Sequence, residues 1–199
     1  AKKAFAIAPK PLGGRLPDYE TLIADCRPAE LVESAEDDDA IVLYTGGTTG
    51  RSKGVRLTHR NVVSNGMQCG LAMDFRGDDI YLHVAPMFHS ADLLATGFTL
   101  LGGAHAFLPQ FTPTNLLRAL QDLKVSWLMM APTMIVMIIR ELRPADFDLC
   151  QLRAFLYGSA PMAPEWIRKT MDAFPGVEIA QGYGLTETSP ILTYLDFAE

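Results

Sequence analysis

Residues 111–142 read FTPTNLLRALQDLKVSWLMMAPTMIVMIIREL. Thr112 before Pro113 is a helix start: the hydroxyl can accept from an orphan backbone N–H, and proline at the first helical position loses a hydrogen bond that is unused there. The helix it opens is expected to set Leu116, Leu117, Leu120 and Leu123 on one side. Val125–Met130 is a short apolar run without polar alternation, as a strand covered on both faces requires. Pro132 opens a second helix, running to about Leu142. A helix, a buried strand and a helix in direct succession are the repeating unit of a parallel sheet.

The unit recurs on both sides. Ala40–Thr45, Ile80–Ala85, His105–Leu108, Leu152–Tyr157 and Val177–Ala180 read as strands. Helices are predicted from a Thr58 cap to about Met73, over Ala91–Leu101 before Gly102-Gly103, and over Pro164–Phe174. The fold class is therefore α/β, a largely parallel sheet with helices on both faces and right-handed crossovers. Met67, Met129, Met130, Met134 and Met137 read as core filling, and Trp127 and Trp166 as core or half-buried packing residues. Residues 1–37 read as an irregular lead-in marked by Pro9, Pro11, Gly13, Gly14 and Pro17, and residues 38–199 as the α/β unit.

The chain has 199 residues, 49% hydrophobic and 20% charged, which excludes intrinsic disorder. A net charge of −6 argues against nucleic acid as a partner. Cys26, Cys69 and Cys150 are far apart with no CxxC pair, so neither a disulfide framework nor a cysteine zinc site is expected, and a cytoplasmic location is. Peripheral membrane association and oligomer formation stay open. The most apolar stretch, Val125–Ile139, is too short to span a bilayer. Both ends look cut, without an initiator Met or a closing signal, as in a piece of a longer protein.

In an α/β fold ligands sit outside the carboxyl ends of the strands, so chemistry is sought in the loops that follow strands. After the first strand comes Thr45-Gly46-Gly47-Thr48-Thr49-Gly50-Arg51-Ser52-Lys53-Gly54. Glycines let backbone N–H groups turn toward one point, hydroxyls add donors, and Arg51 and Lys53 add charge, a combination suited to a polyphosphate. Ile41 to Met73 contains no Asp or Glu, while Arg51, Lys53, Arg56 and Arg60 fall inside it, which predicts a local positive field. The loop is not GxxxxGK[ST], which disfavours a P-loop kinase or GTPase, and no GxSxG elbow marks a serine hydrolase.

Three further strand-following segments carry candidate residues. Gln181-Gly182-Tyr183-Gly184-Leu185-Thr186-Glu187 offers glycines for close approach, an aromatic face, a hydroxyl and a hard oxygen ligand suited to Mg²⁺ beside phosphates. Gly158-Ser159-Ala160-Pro161 is small enough for backbone contact with a ligand, and Pro86-Met87-Phe88-His89 ends on an imidazole.

The loop from Thr45 to Gly54, the Thr58-His59-Arg60-Asn61 segment behind it and the Tyr183-Gly184-Leu185-Thr186-Glu187 segment, in this order, resemble the motifs of the AMP-forming acyl-CoA synthetases and their adenylate-forming relatives, which include luciferases and peptide-synthetase adenylation domains. The resemblance runs from about residue 38 to the end and implies the central part of the large N-terminal domain. It implies ATP and Mg²⁺ as cofactors, CoA as co-substrate and a small-molecule carboxylic acid as the activated group. It assigns Thr45, Gly46, Gly47, Thr48, Thr49, Gly50, Ser52 and Lys53 to the β- and γ-phosphates. It sets Gly158, Ser159, Ala160, Pro161 and Tyr183 around adenine, Gly182 and Gly184 where the backbone approaches the nucleotide, Thr186 at the α-phosphate, Glu187 at Mg²⁺ and His89 beside the acyl carboxylate. It further implies a ribose-binding Asp, a hinge and a C-terminal domain with a catalytic Lys, none of which falls within these 199 residues, so the chain alone is expected to lack synthetase activity. An acid–CoA ligase for a fatty acid is the first reading, on the apolar stretch Ser90–Leu101. An aryl-CoA ligase or peptide-synthetase adenylation domain is the second, and a non-catalytic nucleotide-binding module the third.

Overall fold

A computed structural model describes residues 23–24, 26–29, 33–46 and 50–196. The chain forms two compact units, Ala1–Ser34 and Ala35–Glu199. In the first, the Cys26 N–H donates to the Ile23 carbonyl at 2.9 Å. The second carries the elements that follow.

It opens with a hairpin, β1 (Asp39–Thr45) and β2 (Lys53–Thr58), paired antiparallel. Then come α1 (His59–Ala72), β3 (Ile80–His83), a 3₁₀ turn (Ser90–Leu94), α2 (Ala95–Leu101), β4 (Ala104–Phe107), α3 (Pro113–Asp122) and β5 (Trp127–Met130). The unit continues with α4 (Pro132–Glu141), β6 (Ala154–Tyr157), α5 (Pro164–Ala173), β7 (Glu178–Gly184), a 3₁₀ turn (Thr186–Thr188) and β8 (Ile191–Asp196). The main sheet has the order β4-β3-β5-β6-β7-β8, parallel except for the antiparallel pair β7–β8. The α/β class and the largely parallel sheet follow the sequence reading.

Both helix caps read from sequence are present. Thr58 Oγ1 accepts from the Asn61 N–H at 3.2 Å, while the Asn61 side chain accepts from the Thr58 N–H at 3.0 Å. Thr112 Oγ1 accepts from the Asn115 N–H at 3.1 Å, with Pro113 opening the helix.

Strand alternation divides the core between two faces. Leu82, Leu128, Met130, Phe155, Tyr157 and Ile179 pack with Leu116, Leu117, Leu120 and Ile135 under α3, α4 and α5. Tyr81, Trp127, Met129, Ala154, Leu156 and Ala180 pack with Cys69 and Phe98 of α1 and α2 on the other face. At the end of the sheet away from the strand-following loops, buried Asp79 receives two bonds from Arg153, at 3.0 and 2.7 Å. Burial pushes its carboxyl up, but Arg153, the Ser126 hydroxyl and the Arg76 N–H outweigh that and hold it below the usual range.

Several expectations are corrected. Ala40–Thr45 is not part of the alternation; it pairs with β2, whose sequence KGVRLT mixes charge with apolar residues and gives no buried-strand signal. Ala91–Leu101 is broken into a 3₁₀ turn and α2. The last parallel strand runs on to Gly184, because β8 supplies a partner for a glycine-rich segment of low intrinsic strand preference. Leu123 is exposed, since α3 stops at Asp122 before the stripe reaches it. Met129 and Met130 are core, whereas Met67 and Met137 are exposed on the outer sides of their helices.

Helices α1 and α2 meet at Gly66 and Gly97. A Cβ added at Gly97 would lie 2.8 Å from the Gly66 carbonyl oxygen and 2.9 Å from the Phe75 ring, which itself stacks on Phe98 at 3.9 Å. Gly97→Ala should gain about 1 kcal/mol of helix propensity and lose more than that by overpacking, typically about 1–3 kcal/mol against atoms that cannot rotate away. The expected outcome is a lower midpoint in urea unfolding; an unchanged or raised midpoint would contradict the contact.

Candidate functional site

The chain leaves β3 for β4 on one side and β5 for β6 on the other, so the crevice at the carboxyl ends of β3 and β5 is where the winding reverses. In such sheets this is the favoured place for a ligand. A cavity of about 410 Å³ opens at the carboxyl end of the sheet, reaching from the loop after β3 to the β7–β8 turn. Thr45, Gly46 and Lys53 reach it from the hairpin, His89, Ser90 and Ala91 from the loop after β3, Met129 from β5, Ser159 from the loop after β6, and Gly182 and Gly184 from β7. Leu185, Thr186, Glu187, Pro190 and Ile191 complete it from the β7–β8 turn.

Nine residues predicted from separate motifs thus share one wall: Thr45, Gly46, Lys53, His89, Ser159, Gly182, Gly184, Thr186 and Glu187. Gly50, Ser52, Gly158, Ala160, Pro161 and Tyr183 do not line it. Gly47, Thr48 and Thr49 lie outside the described residues. Tyr183 falls between the two lining glycines of β7, so alternation turns it the other way, and it is 58% exposed. Gly158 is buried behind the wall, where a Cβ would stand 2.8 Å from the Gly182 carbonyl oxygen. The chain itself also fills the space beside Gly184, where a Cβ would collide with the Pro190 carbonyl. Glycine at these places serves close approach of backbone to backbone, in addition to any approach of a ligand.

The β7–β8 turn is tied on three sides. Ser90 Oγ and Thr186 Oγ1 are 3.0 Å apart. The Thr188 hydroxyl lies 2.9 Å from the Leu185 N–H, which donates to it, and 2.9 Å from the Pro190 carbonyl. Asn65 on α1 donates to the Ile191 carbonyl at 2.7 Å and accepts from the Ile191 N–H at 3.4 Å. Sequence reasoning did not single out Ser90, Met129 or Asn65 for the site. Ser90 stands next to a flagged His; the other two sit within elements that read as core and helix.

The positive field is smaller than the sequence implied. Arg56 pairs with Asp39 at 2.8 Å, and Arg60 pairs with Glu36 at 2.9 Å and Asp37 at 3.0 Å. The acidic cluster ahead of β1 folds back on the basic window. Among the described residues, Arg51 and Lys53 form no ion pair, and of the two Lys53 lines the cavity. Glu187 is the carboxylate of the lining; among the described residues no group of three or more His, Cys, Asp and Glu gathers to hold a metal. His89 caps the 3₁₀ turn, its Nδ1 accepting from the Ala91 N–H at 3.1 Å, so a neutral ring carries its proton on Nε2 and can offer it to a ligand.

Behind this segment runs a chain of polar side chains. Asp92 lies 2.9 Å from His83 Nδ1, His83 Nε2 lies 2.9 Å from His105 Nδ1, and His105 Nε2 lies 3.0 Å from Thr99 Oγ1. Burial, then the neighbouring His83, holds His105 below the ordinary histidine value, with Asp92 opposing.

Residues 5–199 match the AMP-binding enzyme family. A 4-coumarate–CoA ligase-like protein of Oryza sativa subsp. japonica is 36% identical over 169 residues, which are 82% of this chain and 30% of the relative. The long-chain-fatty-acid–CoA ligase of Bacillus subtilis (strain 168) is 34% identical over 166 residues, 81% of this chain and 29% of the relative. The chain thus spans about a third or less of these relatives. The inhibitor-bound N-terminal domain of FACL13 from Mycobacterium tuberculosis superposes with a TM-score of 0.80 at 31% identity, covering 89% of this chain and 44% of that one.

A pH response follows from His105. Its depressed folded-state value means that the unfolded chain binds more protons just below the ordinary histidine pKa of about 6.5. Its contribution to stability is therefore complete above that pH and is lost as pH falls further. The midpoint of thermal unfolding should drop between about pH 7 and pH 5.5, and the drop should be shallower in His105→Asn, whose amide N–H can replace the Nδ1 donor. Equal slopes would remove His105 from the account.

Proposed function

Because the chain belongs to the AMP-binding enzyme family, we propose that its cavity is the acid-activating site of an ATP-dependent acid–CoA ligase. A carboxylate oxygen attacks the α-phosphorus of ATP, the α–β anhydride bond breaks and pyrophosphate leaves with the electron pair. The CoA thiolate then attacks the acyl carbon of the adenylate, and AMP departs. The activity is proposed for the whole protein.

One observation carries the reading: Thr45, Gly46 and Lys53 on one side and Thr186 and Glu187 on the other, remote in sequence, line the same hollow as His89. Both steps move negative charge, so what the site must supply is position and charge neutralisation. Lys53, with Arg51 on the same loop, takes the β- and γ-phosphates as pyrophosphate charge grows. Thr45 and Ser52 on the same loop offer hydroxyls to those phosphates. Thr186 directs its hydroxyl to the α-phosphate. The Nε2–H of His89 orients the attacking carboxylate. Tyr183, exposed outside the cavity lining, offers a face for an adenine that extends beyond the cavity, with Ser159–Pro161 along its edge.

A single lining carboxylate fits Mg²⁺ as this ion is bound with nucleotides, through one or two carboxylates plus phosphate oxygens and water. Glu187 would hold it, and the ion would neutralise charge on the phosphates.

The acid in this proposal is apolar, and the first choice is a fatty acid. The similarity to the rice 4-coumarate–CoA ligase-like protein favours an aryl acid as the second. Acid-dependent ATP–pyrophosphate exchange by the full-length protein across fatty and aryl acids separates them. In that assay Lys53→Ala and Glu187→Ala should each lower exchange about 10²-fold or more, the scale of one lost charge contact in the transition state. Exchange at the wild-type rate in both variants would overturn the assigned roles.

A further inference from the structure

We infer that Asp92, held by His83, is a positioning residue for this site: it sets the 3₁₀ turn that presents His89, Ser90 and Ala91 to the cavity. The inference rests on the acid-activating reading of the cavity and adds a residue that touches none of the reacting groups.

Apolar burial of Ala91 and Leu94 seats the turn against the sheet but is non-directional. Ser90–Leu94 is five residues of 3₁₀ geometry, in which hydrogen bonds are poorer than in an α-helix. Its first residues carry the functional load, because His89 is its cap and Ser90 meets Thr186 at 3.0 Å. Whatever orients the turn therefore orients both the imidazole and the hydroxyl pair across the cavity.

Asp92 is the group on this turn with a strong directional anchor. Its side chain is 8% exposed and that of His83 is 7% exposed. Both carboxylate oxygens lie near His83 Nδ1, at 3.0 and 2.9 Å. Burying a carboxylate beside an imidazole is costly, and two apolar side chains of similar volume would pack here without that cost. A hydrogen-bonded pair supplies what apolar packing lacks, a fixed angle between the turn and β3.

His83 is itself held from behind. With its proton on Nδ1 it donates to Asp92, and its Nε2 accepts from His105 Nδ1–H. His105 Nε2 then accepts from the Thr99 hydroxyl. Every polar hydrogen in this chain has a place with both rings neutral, so the tautomer of His83 is determined by its neighbours. Phe107 stacks on the same ring at 4.6 Å between centroids.

The test uses the full-length protein and two variants. In His83→Phe/Asp92→Leu an apolar pair replaces the anchor, so the thermal midpoint should stay at or above the wild-type value while kcat for acid-dependent pyrophosphate exchange falls about 10²-fold, the cost of a small misplacement near reacting groups. The KM for ATP should change less than kcat, since Lys53 and Glu187 lie on other elements and only Thr186 of the groups assigned to ATP touches the turn. Asp92→Asn, which keeps one acceptor for His83, should recover much of the rate. Crystal structures of wild type and double variant give a readout free of activity: the Ser90–Thr186 hydroxyl contact should be lost. A double variant that keeps both this contact and wild-type kcat would overturn the inference, as would Asp92→Asn no better than the double variant. A wild-type protein with no exchange for any acid would sink the functional reading alone, and the hydroxyl contact would still decide the positioning role.

Discussion

Two-sided burial of the central strands is the constraint from which the rest of this structure follows. All four residues of β5 and all four of β6 are buried. Such strands cannot lie at a surface, so helices must cover both faces, and crossovers of one hand must carry the chain between parallel neighbours. The loops after the strands then gather along one edge. The cavity opens at that edge, between the hairpin, the loop after β3 and the β7–β8 turn.

The edge is shaped by residues that make room and by residues that hold. Gly158 allows the backbone of β7 to approach, and Gly184 allows the β7–β8 turn to fold against it. Asn65 and Ser90 then tie that turn to α1 and to the loop after β3. Electrostatics is divided in the same way. Arg56 pairs with Asp39 at the start of β1, and Arg60 with Glu36 and Asp37 just ahead of it, which steadies the base of the hairpin. Lys53 lines the cavity. The window of basic residues thus separates into Arg56 and Arg60, which are paired, and Arg51 and Lys53, which form no ion pair among the described residues.

Much of the fold was legible because its signals are local. The Thr58 and Thr112 caps act within three residues, and the apolar runs of β5 and β6 need no partner to be recognised. The candidate site was legible as motifs, since glycine, hydroxyl and cation in one loop state a chemical purpose before any fold is known. The hairpin strand β2 and the extension of β7 were not, because each exists through a neighbour: β1 in one case and β8 in the other. The role of Tyr183 relative to the cavity turned on alternation in a strand whose length could not be read from its glycines.

By itself the sequence determined the alternation of helices and parallel strands in the centre of the chain, the α/β class and the residue types available to the site. The tertiary structure alone decided which of them meet. Ser90 finds Thr186 across 96 residues of chain and Asn65 finds Ile191 across 126. Asp92 finds His83 across a loop that periodicity passes over. The physical reason is range: propensity, capping and burial patterns act over one or two turns of chain, whereas ion pairs and hydrogen bonds form wherever packing of the whole sheet brings their partners within about 3 Å.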